Sequence, residues 1–479
     1  MATGSTLVLS TPADPTEGDR LTFHWTTDAP DAKNWVGIYD GARQPGTGSS
    51  LLWKYTPAGS GDVQLDTSAL TGGPYTAYLL AKDGYGILAQ SAPFTFRPKP
   101  AVPRPHAAVD ALTATAVEPG GALLVKLGGL WSRPTGNKPG TAAFRLVSGP
   151  SWMSVAADGT VTGTAPATAP AQPVVLTVGV KDSAGATDTV TVLVPVRSAA
   201  GPLRLKTASW NLWDAGTHVT DALEKQLRVI LTQGLDVLAL QETAGTAAQA
   251  LADALGWYAY QSPGSVGVLS RYPLTAVTAV TTALPAAGVT LQLPGDRTAR
   301  FWAAHLDEAG YGPYAVEDGR SAAQVEAAEA GSVRRAQLGG LLTAMQPDLA
   351  SRQPVILGAA LSSPSHLDWT AATAASHGGA GPVKWPVSIA LKGAGLTDSF
   401  REENPNPVKA PGNTWSPIRK LRGNEPEPQD RTDQVQYAGP LKLVEAHTLV
   451  ADWPATDPAA VATNEWPSDT AAAVATFTL

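Results

Sequence analysis

The sequence contains no cysteine. That excludes a disulfide framework and any thiolate-held metal. No run of 18 apolar residues occurs, so no transmembrane helix is expected. Basic excess is missing too: 34 Lys and Arg stand against 41 Asp and Glu, a net charge of −7. This disfavours a sequence-independent nucleic-acid binder, although a nuclease that holds its polyanion through a metal could still be acidic. The opening residues, Met1-Ala2-Thr3-Gly4-Ser5, have neither a basic n-region nor an apolar h-region. Taken with the absent cysteine, this gives the expectation of an exported or cell-surface protein whose signal has been removed.

What is present is length, glycine and proline. A chain of 479 residues with 47 Gly and 40 Pro suits about three turn-rich globular modules. Residues 5–97 read as all-β. The runs Leu7-Val8-Leu9, Leu21-Thr22-Phe23-His24-Trp25, Trp35-Val36-Gly37-Ile38-Tyr39 and Tyr75 to Leu80 are separated by turn residues. Their spacing is that of an immunoglobulin-like sandwich over residues 1–97. Trp35, Tyr39, Trp53, Tyr55 and Tyr85 are read as sandwich core, with a ligand face as the functional alternative. A proline-rich linker, 98–106, follows. Residues 107–199 read as a second immunoglobulin-like β-module, with Asp158-Gly159 as a hairpin signal. No chemistry is legible in it, and a spacer is the expectation.

From 203 to 479 strands and helices alternate, the pattern of an α/β domain. Strand-like Leu203–Asn211 leads to a helix capped by Thr220, with Leu223, Leu227, Ile230 and Leu231 on its buried face and Gly234 as its stop. A second helix is expected over 246–255. A long one is expected over 321–346, with Val333, Leu338, Leu341, Leu342 and Met345 inward. Val355-Ile356-Leu357 reads as a buried strand.

Polar residues recur at the strand ends of this domain. Trp210-Asn211-Leu212-Trp213 closes the first strand and Leu240-Gln241-Glu242-Thr243 the second. Ser270-Arg271-Tyr272-Pro273 follows a third, and Phe301-Trp302-Ala303-Ala304-His305-Leu306 puts a histidine at another. Asp430-Arg431-Thr432-Asp433 and Trp466-Pro467-Ser468-Asp469 come late. This order resembles the endonuclease/exonuclease/phosphatase superfamily, the deoxyribonuclease I-like fold. The stretch from His305-Leu306-Asp307 through Tyr311-Gly312-Pro313-Tyr314, with Trp415-Ser416-Pro417, is similar to a secreted bacterial subgroup.

The resemblance implies a two-sheet α/β sandwich and Mg²⁺- or Mn²⁺-assisted phosphoester hydrolysis, in which water attacks phosphorus with help from a histidine polarised by an aspartate. It also implies roles for residues. Asn211 matches a phosphate- or metal-proximal asparagine, Glu242 the principal metal ligand, His305 a phosphate-contacting histidine, Asp433 the aspartate that orients the catalytic histidine, and Asp469 a metal-side aspartate. Three positions depart. Where the family reads Gly-Asp-Phe-Asn, this chain reads Ala359-Ala360-Leu361-Ser362, so Ala360 replaces the aspartate and Ser362 the asparagine. Where it reads Ser-Asp-His, the chain reads Ser468-Asp469-Thr470, so Thr470 replaces the catalytic histidine.

Each retained residue also has an ordinary reading. Glu242 could be a solvated strand end, Asn211 a turn cap, and His305 a structural histidine. Asp433 could pair with Arg431, Asp398 could cap or brace, and Arg419-Lys420-Leu421-Arg422 could be a solvated loop. Loss of a general base costs on the order of 10²–10⁴ in rate. The expectation is therefore a degenerate active site with weak or no hydrolysis. Any cation at Glu242 and Asp469 is held weakly. The cleft is kept for a small ligand, phosphorylated or not, rather than nucleic acid. The alternatives are altered chemistry on the same scaffold, an inactivated variant of a secreted phosphoesterase, or a surface-binding protein that acts through its β-modules.

Overall fold

The computed structural model describes residues 4–12, 15–41, 43–98, 105–132, 140–279, 284–452 and 454–479. Most of the proline-rich linker, 99–104, and Met1-Ala2-Thr3 lie outside them. The chain divides into two compact units, residues 1–102 with 452–454, and residues 103–451 with 455–479.

In the first unit, strands Thr6–Thr11, Leu21–Thr26 and Ser60–Leu65 form one sheet. Strands Leu52–Tyr55, Trp35–Asp40, Tyr75–Ala81 and Gly86–Gln90 form another. Alternation sends Leu21, Phe23 and Trp25 of one sheet, and Val36, Ile38, Ala77 and Leu79 of the other, into a shared core. Trp35 and Tyr39 pack on the opposite face of the second sheet with Tyr78 and Leu80. Trp53, Tyr55 and Tyr85 depart from the core expectation: they are 55%, 45% and 55% exposed. They gather edge-on around Trp35 and each other, because no further layer covers that face among the described residues.

The second unit joins a β-rich region to the α/β region through one continuous core. Leu127, Leu130 and Val192 of the β-rich region share a cluster with Leu231, Leu251 and Leu255. A Cβ on Gly129 would fall 2.4 Å from the backbone of Ala254, so the turn at Gly128–Leu130 can abut that helix only as glycine. Polar contacts continue the seam. His106 Nε2 lies 2.8 Å from Glu224 Oε1, Arg228 donates to Ala108 O at 3.1 Å, and Arg271 donates to Thr113 O at 2.8 Å. The β-rich region is docked on the α/β region.

The α/β region has the deoxyribonuclease I-like fold, two six-stranded sheets face to face. Its strands are β1 (Arg204–Asn211), β2 (Val237–Gln241), β3 (Tyr258–Gln261), β4 (Val266–Ser270), β5 (Leu274–Ala279) and β6 (Ala286–Leu293), then β7 (Arg297–His305), β8 (Val355–Ala360), β9 (Thr397–Asp398), β10 (Asp433–Ala438), β11 (Lys442–Leu449) and β12 (Ala472–Thr478). One sheet has the order β3-β4-β2-β1-β12-β11 and the other β5-β6-β7-β8-β10-β9. Leu205, Val237 and Phe477 of the first meet Val289, Phe301 and Ile356 of the second between the sheets. A Cβ on Gly358 would fall 2.5 Å from that of Ala239, so glycine sets how closely the sheets approach. Helices α1 (Ala222–Thr232) and α2 (Ala247–Leu255) cover the outer face of the first sheet. On the second sheet's outer side, α3 (Gly312–Glu317), α4 (Ala322–Ala330), α5 (Val333–Ala350) and α6 (Pro386–Gly393) follow in order, and α5 and α6 bury the apolar face.

Three helix expectations need correction. Thr220 does not cap α1; its hydroxyl donates to Ala462 O at 2.9 Å, and Asp221 takes the cap position. Leu223 is 44% exposed, while Leu227, Ile230 and Leu231 are buried. The long helix is two: α4 ends before Gly331, and Ser332 starts α5 by accepting from Arg335 N at 3.2 Å. Val333, at the first position of α5, is therefore exposed. Among the described residues no helix is long and apolar enough to cross a membrane.

Candidate functional site

The C-terminal ends of the parallel pairs β1/β2 and β7/β8 open on one cleft, the usual place for a ligand in such sheets. It encloses about 920 Å³ and is lined by all eight residues singled out from the sequence: Asn211, Glu242, His305, Ala360, Ser362, Asp433, Asp469 and Thr470. Register explains the convergence. Asn211 pairs with Gln241, which puts Glu242 one residue beyond. Ala360 pairs with His305 on one side and Asp433 on the other, so these three stand in a row across β7, β8 and β10. Trp213, Glu242 and Ser362 hold left-handed backbone with φ of +51°, +52° and +50°, turning the chain sharply at the strand ends. Arg334, fully buried, donates to the carbonyls of Asp307 and Ser362 and so ties the loop after β7 to the turn after β8.

Asn211 and Glu242 form a closed polar unit. Asn211 Nδ2 donates to Glu242 Oε1 at 2.7 Å, Asp214 N donates to Oε2 at 3.1 Å, and Trp213 N donates to Asn211 Oδ1 at 2.9 Å. His305 Nε2 stands 4.0 Å from Glu242 Oε1, and its Nδ1 is 3.3 Å from Ser265 Oγ. Burial pushes the His305 imidazole down, against the pull of Glu242.

Across the cleft the arrangement is looser. Asp433, 2% exposed, accepts from the Thr432 hydroxyl at 2.9 Å through Oδ2, while its Oδ1 has no hydrogen-bond partner. It does not pair with Arg431. That guanidinium is buried between Asp398, at 2.6 Å, and Asp368, at 3.0 Å. Burial pushes the Asp433 carboxyl up to about 7, against the pull of hydrogen bonds from Thr414 and Thr432 and with smaller upward pushes from Asp469 and Glu242. Asp469 is likewise pushed up to about 7 by burial, although Arg419 stands 3.1 Å away. Thr470 Oγ1 lies 3.3 Å from Ser468 Oγ, whose hydroxyl donates to Asn211 O at 2.7 Å. Asp398 both caps the short helix Ser399–Glu403 and braces Arg431.

Sequence reasoning set aside residues that the fold brings into the cleft. Arg419, read as part of a solvated loop, pairs with Asp469 and lies over the Trp415 ring at 5.1 Å. Trp213, Glu308, Tyr311, Tyr314 and Trp415 line it as well. The Tyr311 hydroxyl donates to Asp430 at 2.7 Å, and the Tyr314 hydroxyl and Trp415 Nε1 donate to Glu427 at 2.6 and 2.7 Å. Their motifs were visible; the shared wall they build depends on the fold. Among the described residues no group of three His, Cys, Asp or Glu side chains is arranged to hold a metal ion.

The chain is similar to several known proteins. Residues 208–358 match the Endonuclease/Exonuclease/phosphatase family model. The uncharacterized protein F14F9.5 of Caenorhabditis elegans is 32% identical over 260 residues, covering 51% of this chain and 81% of that protein. Among solved structures, an endonuclease/exonuclease/phosphatase from Beutenbergia cavernae is 17% identical, covering 58% of this chain and 72% of its own, with a TM-score of 0.37. An AP endonuclease from Archaeoglobus fulgidus is 14% identical, covering 57% of this chain and 98% of its own, also with a TM-score of 0.37.

Proposed function

The chain belongs to the endonuclease/exonuclease/phosphatase family, and from that premise we propose that its cleft binds a small ligand and hydrolyses phosphoesters weakly or not at all. The observation that carries this reading is that Asp433 and Thr470 line the same cleft. A carboxylate that polarises a general base needs an imidazole to hold. Here the carboxylate is buried with one oxygen unpartnered, and the residue at the imidazole's place in the motif is a threonine beside Ser468. Attacking water then lacks the imidazole base that the motif supplies. Ala360 and Ser362 leave nothing of the expected Asp-x-Asn pair to orient it. Losses within one catalytic unit do not multiply, but a missing base alone costs on the order of 10²–10⁴.

Mg²⁺ or Mn²⁺, if bound, would be held weakly by Glu242 and Asp469: each Glu242 oxygen already accepts one hydrogen bond, and Asp469 would give up its pairing with Arg419. The test is a panel of phosphomonoesters and phosphodiesters with Mg²⁺ or Mn²⁺, comparing the chain with the triple variant Ala360→Asp, Ser362→Asn, Thr470→His. Turnover only in the variant supports the reading; metal-dependent turnover by the unmodified chain sinks it.

The exposed group Trp53, Tyr55 and Tyr85 favours a second reading. In it the first unit is an immunoglobulin-like sandwich of an exported or surface protein and contacts a partner through that face. Alanine at all three positions in the full chain would abolish that contact without changing ligand binding in the cleft.

A further inference from the structure

The seam between the β-rich region and the α/β region is not filled throughout. It encloses a groove of about 410 Å³, the size of a small-ligand site. None of the residues that line this groove lines the cleft. Its floor is aliphatic. Leu123 and Leu130 of the β-rich region line it with Leu231 of α1 and Leu255 of α2, all four buried in the shared core. At the rim Leu124 is 63% exposed and Tyr258 47%. Strand Ala122–Lys126 stands at the edge of its sheet, so no further strand of that sheet covers the rim.

Size and apolarity admit many occupants; the charges select one class. Among the described residues the charged side chains that line the groove are Lys126 and Arg271, both cationic, in a chain of net charge −7. Arg271 lies over the Trp257 ring at 4.6 Å, donates to Thr113 O at 2.8 Å and is paired with Asp236 at 3.1 Å. Its charge is already compensated. Lys126 is exposed and forms no ion pair among the described residues. The carboxylate that feels its charge, Asp158, accepts from Thr160 N at 2.9 Å instead. A Cβ on Gly256 would fall 2.8 Å from Lys126 Cδ, so glycine lets the lysine stem lie against that part of the groove wall. An uncompensated ammonium beside an aliphatic floor complements an anionic head on an apolar body. An organic cation would meet like charge there, and a bare anion would leave the floor uncovered.

We infer that this groove binds a small amphiphilic carboxylate, its chain against Leu123, Leu130, Leu231 and Leu255 and its carboxylate at Lys126. The site is separate from the cleft and stands or falls without the reading of the cleft. The experiment is calorimetric titration of the full chain, at fixed ionic strength and below micellar concentrations, with octanoate, octylammonium and acetate. Octanoate should bind saturably, one per chain, and the other two should not. Lys126→Glu should weaken octanoate about tenfold, because the carboxylate then meets like charge. Ala122→Trp, which adds bulk on the strand that forms the rim, should weaken it at least as much. Unchanged circular dichroism of both variants separates loss of the site from loss of fold. No saturable octanoate binding, octylammonium or acetate bound as tightly as octanoate, or octanoate binding indifferent to both substitutions overturns the proposal. So does a dimer in sedimentation that Ala122→Trp dissociates and octanoate leaves intact, which assigns the groove to a second copy of the chain.

Discussion

The two sides of the cleft differ in how their polar groups are satisfied. On one, Asn211, Glu242 and the backbone of Trp213 and Asp214 close a circuit of short hydrogen bonds. On the other, Asp433 keeps an enclosed oxygen without a partner, beside Ala360, Ser362 and Thr470, which carry no charge. A buried polar group survives sequence change when its partners survive with it. The Asn211 side is self-sufficient and intact. The Asp433 side has no such circuit, and its carboxyl is pushed up to about 7 by burial.

The largest effect should come from rebuilding the emptied side. Ala360→Asp, Ser362→Asn and Thr470→His together should raise metal-dependent phosphoester turnover by about 10²-fold or more in a steady-state assay. No gain would mean that the other side has also lost its chemistry, and the contrast would fail.

Next is a pH effect. In the unfolded chain Asp433 ionises near 4, roughly the ordinary carboxylate value. Its folded value of about 7 means that folding takes up a proton between roughly pH 4 and 7. Stability therefore falls as pH rises through that window and levels above it. Asp433→Asn should match the unmodified chain near pH 4 and exceed it above pH 7, on the order of a few kcal/mol in denaturant unfolding. Asp469, also pushed up to about 7, leaves a residual slope in both. The retained side should answer with the opposite sign. Glu242→Ala strands Asn211 Nδ2 and should lower stability by about 1–3 kcal/mol. If both substitutions moved stability the same way at pH 8, the two sides would not differ as described.

The smallest effect concerns backbone. Ser362 sits at φ +50°, a region asparagine tolerates better than serine. Ser362→Asn alone should raise the unfolding midpoint by an amount worth about a few tenths of a kcal/mol, without activity.

The sequence made legible what periodicity and motif order encode. Val355–Ala360 and α2 lie where spacing puts them, and strand-end polar residues meet because parallel strands deliver their C-terminal ends, and antiparallel β10 and β12 their N-terminal ends, to one side. It did not reveal what depends on distant partners. Arg431 turned from Asp433 to Asp368 and Asp398, which arrive from other segments. Leu223 looked inward by spacing but faces solvent, because the core beneath α1 is filled by Leu227, Ile230 and Leu231. The second β-region read as a spacer because its docking face becomes apolar contact only against α1 and α2. A cut near residue 200 would tear that shared core, so the parts of this unit are best probed by substitution in the full chain.

The central claim is that the cleft has exchanged hydrolysis for binding. It is tested most directly by the steady-state rate of the unmodified full chain on a phosphodiester and a phosphomonoester with Mg²⁺. The account predicts a rate indistinguishable from that without protein. Saturable, Mg²⁺-dependent turnover that Glu242→Gln abolishes would contradict it.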